Sequence, residues 1–161
     1  DPAGGPAGFN ASNALAATLT EKHLGLSVTF EPTPEPDAAV VIGDRAMCEP
    51  PAPHGDIDLA GLWKAMTDLP FVFAVWAHRR DHANPQALSR VARDAKHAGL
   101  AALKQLAEQY ARKLDLDEAR CLAYLTDSLG YDVGPREVEG MRRFREMCAS
   151  LPIESAREVP E

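Results

Sequence analysis

The chain has 161 residues, of which 45% are hydrophobic and 25% charged, and a net charge of −7. That is an ordinary globular composition, long enough for one domain with a real core or for two small lobes. The acidic balance speaks against a nucleic-acid backbone binder, which would show a basic face, and no apolar run reaches the roughly 20 residues a membrane-crossing helix needs.

Residues 1 to 9 are rich in Pro and Gly and read as loop. A helix is expected to start near Asn10 or Ser12, both good N-cap types, and to run to about His23 with Leu15 and Leu19 on its buried face. Ser27 to Phe30 reads as a short strand, and Glu31-Pro32-Thr33-Pro34-Glu35-Pro36 as a stiff exposed connector. Ala38-Ala39-Val40-Val41-Ile42 reads as a buried strand ending at Gly43-Asp44. Pro50 to Pro53 breaks the chain, and Asp58 then caps a helix carrying Leu59, Leu62, Trp63 and Met66.

The run Leu69-Pro70-Phe71-Val72-Phe73-Ala74-Val75-Trp76-Ala77 follows. Its β-branched and aromatic content, with a proline at the start and charges straight after, predicts a strand buried on both faces. Beyond it the character changes to a succession of helices. Asn84-Pro85 opens one whose apolar stripe runs through Leu88, Val91, Ala92, Ala95, Gly99, Ala102, Leu103, Leu106 and Tyr110. Asp115-x-x-Glu118 has the form of a capping box and opens a helix with Leu116, Ala119, Leu122 and Leu125. After the turn at Gly130 to Gly134, Pro135 opens a last helix bearing Val138, Met141, Phe144 and Cys148, and the tail past Pro152 is polar. Alternating helix and strand in the first half implies a small parallel α/β sheet.

In an open α/β sheet, ligands bind beyond the strand ends, near helix N-termini. Two places qualify. One is Phe9-Asn10-Ala11-Ser12-Asn13, where free N–H groups and a hydroxyl could hold a carboxylate, or where a plain helix cap sits. The other is Ile42-Gly43-Asp44-Arg45, where glycine allows close approach and Asp44 either caps the next helix or faces a cleft. Trp76, at the end of the apolar run, reads as core or as the wall of a pocket. His78 and His82 straddle a strand end and a turn, which is the wrong geometry for a helical metal pair, so solvated histidines are expected. Cys48, Cys121 and Cys148 are far apart, form no CxxC, and read as free buried thiols. No Ser/His/Asp order, P-loop or GxGxxG stands out. The chain begins at Asp1 and carries no stretch with the form of a signal peptide; a removed leader or further N-terminal residues remain open.

Two groups of residues together resemble a known family. The first is Ile42-Gly43-Asp44-Arg45-Ala46-Met47 followed by Asp58-Leu59-x-x-Leu62-Trp63-x-x-x-Thr67-x-Leu69-Pro70-Phe71-Val72-Phe73-Ala74-Val75-Trp76-Ala77. The second is Arg120-Cys121-Leu122-x-Tyr124-Leu125, Tyr131-Asp132-Val133 and Gly140-Met141-x-x-Phe144. Both look like the menaquinone-biosynthesis enzyme A family, the chorismate dehydratases of the futalosine route, over about residues 10 to 150.

The resemblance implies an α/β fold of the type II periplasmic-binding-protein kind, with two lobes around a cleft. This chain would supply its C-terminal portion: residues 1–70 the second α/β lobe, 71–77 the hinge strand, 78–152 helices returning to the first lobe, and 153–161 a tail. It implies a cytoplasmic lyase that eliminates water from chorismate to give 3-[(1-carboxyvinyl)oxy]benzoate, with no metal and no cofactor. The partner would be a small carboxylic acid, not nucleic acid or membrane, with homodimerisation left open. Asn10, Ser12 and Asn13 would hold carboxylate or hydroxyl groups, Gly43 would allow close approach, Asp44 would be the catalytic contact near the ring hydroxyl, and Trp76 would wall the pocket. One departure stands out. The family usually has Ser-Arg-Thr-Ser where this chain has Phe9-Asn10-Ala11-Ser12, so only Ser12 matches and the charge-assisted donors are lost. A non-catalytic solute-binding protein of the same fold is the alternative.

Overall fold

The apolar stripes of three helices meet on one indole. The computed structural model describes residues 11–25, 37–53 and 55–149. Helix α1 (Ala11–Leu19) continues into a wider π-turn (Thr20–Leu24) that Gly25 closes with a positive φ of 66°. Then come α2 (Asp44–Cys48), α3 (Leu59–Thr67), α4 (Pro85–Ala101), α5 (Leu103–Leu114), α6 (Glu118–Ala123, continued by a π-turn over Tyr124–Ser128) and α7 (Pro135–Cys148). The chain divides into two compact units. Unit 1 is Asp1–Phe73 with Val133–Glu161, and unit 2 is Ala74–Asp132.

In unit 1, α1 packs on α3 and α7. Leu15, Leu19, Trp63 and Met147 form the buried core, with Leu59, Leu62, Met66, Phe71 and Phe144 packed against it. Trp63 is 0% exposed. Its ring meets Phe71 edge-on at 5.5 Å and Phe144 at 5.9 Å, while Phe71 and Phe144 lie 4.9 Å apart. Such T-shaped pairs each contribute about 0.5–1.5 kcal/mol beyond the area they bury. The Trp63 indole N–H donates to the Pro70 carbonyl at 3.3 Å, so the one polar atom of the ring is satisfied. In unit 2, α5 and α6 pack together around Ala107, Ala111 and Cys121, and the Tyr131 hydroxyl donates to the Leu125 carbonyl at 3.0 Å.

Most helix boundaries follow their signals. Asp58 accepts from the Ala60 N–H at 3.0 Å, Asn84 accepts from the Ala87 N–H at 3.0 Å ahead of Pro85, and Pro135 opens α7. Two boundaries differ. The expected box at Asp115 and Glu118 shifts, because Asp115 takes a left-handed conformation (φ 54°) to close α5, and Asp117 caps α6 by accepting from the Arg120 N–H at 2.9 Å. The long stripe from Leu88 to Tyr110 breaks at Ala102, whose N–H bonds back to the Gly99 carbonyl at 3.0 Å, a tightened last turn that ends α4.

The strand expectations fare differently. Among the described residues the architecture is mostly helical and no strand is present. Residues 38–42 and 71–77 carry no regular secondary structure, and the burial expected on both faces is not there. Ile42 is 50%, Phe73 50%, Val75 53% and Trp76 80% exposed. The physical reason is that a strand is defined by its neighbours. β-branched and aromatic residues favour a pleated, half-buried surface, but the ladder hydrogen bonds must come from an adjacent strand, and none lies among the described residues. The strand expected at Ser27 to Phe30, the loop before Asn10, the Glu31–Pro36 connector and the tail after Pro152 lie outside the described residues.

Replacing Trp63 by Ala removes the shared neighbour of α3, α7 and the root of the apolar segment. Urea unfolding is expected to show a loss of about 3–5 kcal/mol. A loss under about 1 kcal/mol would contradict the central place given to this side chain.

Candidate functional site

The residues singled out in the sequence fall on three separate stretches. Ser12 and Asn13 lie in the first turn of α1, while Asn10 lies outside the described residues. Gly43 and Asp44 lie at the start of α2, in unit 1, and both are exposed. Gly43 has φ 63° and ψ −141°, a conformation L side chains rarely adopt, so the glycine read as a turning point is required by the backbone. Asp44 stands in the first turn of α2, an acidic residue where the helix dipole favours one. Trp76 belongs to unit 2 and presents most of its indole to solvent.

The other titratable groups have structural explanations. Burial pushes the Cys148 thiol up, opposed by its contact with the Thr18 hydroxyl at 3.6 Å, so it is no ready thiolate nucleophile. Cys121 is buried, as expected of a free thiol, but Cys48 is exposed, because α2 buries none of its residues. The His78 and His82 rings lie 6.4 Å apart and are exposed. The His78 Nδ1 sits 2.8 Å from the Arg79 carbonyl, and the His82 Nδ1 accepts from the Asn84 N–H at 3.1 Å. Burial raises the Tyr131 phenol, and the neighbouring Tyr124 adds to the effect. Arg142 is raised by its bond to Glu139 and is also paired with Glu146 on the exposed face of α7.

A pocket of about 380 Å³ in unit 1 is lined by Lys22, Met66, Arg143, Glu146 and Met147. It opens near the C-terminal end of α1, whereas Ser12 and Asn13 stand at the other end. Residues 11–24 span about 20 Å at 1.5 Å per residue, so the pocket is not the expected carboxylate site.

The side chains that sequence reasoning passed over surround the turn after α3. Asp68 closes α3 with φ 54°, and the Lys64 ammonium donates to its carbonyl at 2.9 Å and its carboxylate at 2.8 Å. Arg136, from the first turn of α7, donates to the same carbonyl and to the carboxylate at 3.2 Å. The Thr67 hydroxyl donates to the Trp63 carbonyl at 2.8 Å and accepts from the Leu69 N–H at 3.1 Å. A helix stop at Asp68 with proline two residues on is a readable signal. That Arg136 would return to it across 68 residues has no local signature.

The sequence model of a family described as "Menaquinone biosynthesis" matches residues 8–150. A chorismate dehydratase from Thermus thermophilus is 35% identical over 134 residues, which is 73% of this chain and 49% of the relative. A chorismate dehydratase from Campylobacter jejuni is 28% identical over 146 residues, 88% of this chain and 56% of the relative. The chain thus spans about half the length of these curated relatives.

The Asp68 bonds carry a pH signature. The Lys64 hydrogen bond first, then Arg136, hold the Asp68 carboxyl below its ordinary 3.8. A depressed folded-state value contributes stability above the unfolded value and loses it as pH falls through the folded one. The parent is therefore expected to melt above Asp68→Asn at neutral pH, with the gap closing as pH drops below 3.8. Thermal melts from pH 7 to pH 2 check this, and a gap that widens in acid would contradict it.

Proposed function

The chain belongs to the menaquinone-biosynthesis family, and on that premise we propose that the protein is a chorismate dehydratase. The observation that carries the reading is the 35% identity to the Thermus thermophilus chorismate dehydratase over 134 residues. The reaction removes a ring proton and the ring hydroxyl of chorismate as water and leaves 3-[(1-carboxyvinyl)oxy]benzoate. We further propose that the fold is of the type II periplasmic-binding-protein kind. In it, residues 1–70 belong to the second lobe, 71–77 form the hinge strand, and 78–152 are helices that return toward the first lobe. An unladdered apolar segment in a chain half as long as its relatives supports that placement, since a sheet would give it the hydrogen-bond partners it needs.

In this reading Asn10, Ser12 and Asn13 hold the substrate carboxylates, as the family resemblance implies. Those donors are neutral where the family usually has an arginine, so the anion is held more weakly than by charge-assisted bonds. Gly43 lets the backbone come close to the ring, and Asp44 contacts the region of the departing hydroxyl. Trp76 offers an indole face to the apolar side of the substrate. The rate enhancement comes from holding the C–H and C–OH bonds in an eliminating geometry away from bulk water. The missing arginine is the feature that favours a second reading, a solute-binding protein for a small carboxylic acid.

Incubating the full-length protein with chorismate is expected to release the enolpyruvyl benzoate. Asp44→Ala is expected to lower kcat/KM by roughly 100-fold, the scale on which losing a positioning contact costs such a reaction. Unchanged kinetics in a folded Asp44→Ala variant would remove that residue from the site. Saturable binding of a small acid without turnover would replace the lyase by the binding protein.

A further inference from the structure

The apolar segment has a fixed root and a bare far end. Over the four residues 67–70, each position is held by something outside its own backbone. Thr67 bonds through its hydroxyl, Asp68 is gripped by Lys64 and Arg136, the Leu69 N–H donates to Thr67, and the Pro70 carbonyl accepts from the Trp63 indole. From Phe73 onward the large apolar side chains stand at 50% exposure or more.

Gly140 is the second half of the observation. It is buried in the interior of α7, where glycine costs about 1 kcal/mol relative to alanine. A Cβ built on it would overlap the Pro70 carbonyl oxygen and come within 3.8 Å of the Leu69 Cβ. Its φ is ordinary for a helix, so the backbone does not demand glycine there. What demands it is the close approach of the turn. The surface ion pairs around Asp68 are individually weak. The buried contacts, Gly140 under Pro70 and the indole on the Pro70 carbonyl, decide where the turn lies.

We propose that Gly140 and the Trp63 indole N–H are positioning residues for the reaction: they seat the 68–70 turn on α7 and so hold the root of segment 71–77, in which Trp76 stands near the far end. This rests on the dehydratase reading for its catalytic consequence. An elimination run by positioning is sensitive to such seating, since a displacement of about 1 Å far from the chemistry can cost on the order of 100-fold. Neither residue touches substrate. Both act through the segment.

The test compares the full-length parent with Gly140→Ala and Trp63→Phe, the second keeping an aromatic ring while removing the N–H donor. Turnover of chorismate and amide hydrogen exchange are measured well below each melting temperature. Both variants are expected to exchange faster over residues 69–77, with α5 and α6 unchanged, and kcat/KM is expected to fall at least about tenfold in Gly140→Ala. A purely structural role would lower the melting temperature and leave kcat/KM per folded molecule and the exchange of 69–77 as in the parent; that result overturns the proposal. Should Gly140→Ala fail to fold, Trp63→Phe carries the same comparison. A parent with no turnover sinks the dehydratase reading, and the exchange pattern then decides the seating alone.

Discussion

The seat of Trp63 is the constraint on which the rest of unit 1 depends. One fully buried indole touches Phe71 at the root of the apolar segment and Phe144 of α7, and its N–H reaches the Pro70 carbonyl. It therefore joins α3 both to the turn that follows it and to α7, which is far away in sequence. α7 follows α3 by nearly 70 residues, yet its Gly140 face must meet the turn closely enough to exclude a Cβ. Residues 74–132 lie between the two halves of unit 1 in sequence, so the fold of unit 1 is non-local: α7 can dock only after they have been spanned.

The same seat explains how segment 69–77 can be so apolar and yet mostly exposed. Its first residues are consumed by the aromatic cluster, where Phe71 stacks edge-on with Trp63, Phe73 and Phe144. Beyond Phe73, which leans on Phe71, the side chains stand exposed. Phe73, Val75 and Trp76 stand exposed, and an apolar run without a ladder is an invitation to pair.

Local chemistry made much of the helical part legible. Asp58, Asn84 with Pro85, and Pro135 each carry a capping or N1 signal that acts over three or four residues, and each marks a helix start as read. Asp115 misled because a left-handed aspartate can close one helix two residues before another begins. The β-rich runs misled for a deeper reason: composition states what a segment could bury, while a ladder depends on a second segment. Gly43 was legible as a turning point because its positive φ needs glycine, and the family was legible in the residues around Trp63 and Trp76. Arg136, Gly140 and the pairing of Cys148 with Thr18 were not, since each contact joins positions that sequence spacing does not relate.

The apolar run packs against the buried Trp63 at its root and is bare at its far end, and the two tryptophans report the two conditions. Acrylamide quenching of the single-tryptophan variants Trp63→Phe and Trp76→Phe of this 161-residue chain reads this directly. Trp63, alone in Trp76→Phe, is expected to emit at short wavelength and resist quenching, whereas Trp76, alone in folded Trp63→Phe, is expected to emit at long wavelength and be quenched freely. Equal protection of both indoles, as in a strand covered along its whole length, would contradict it.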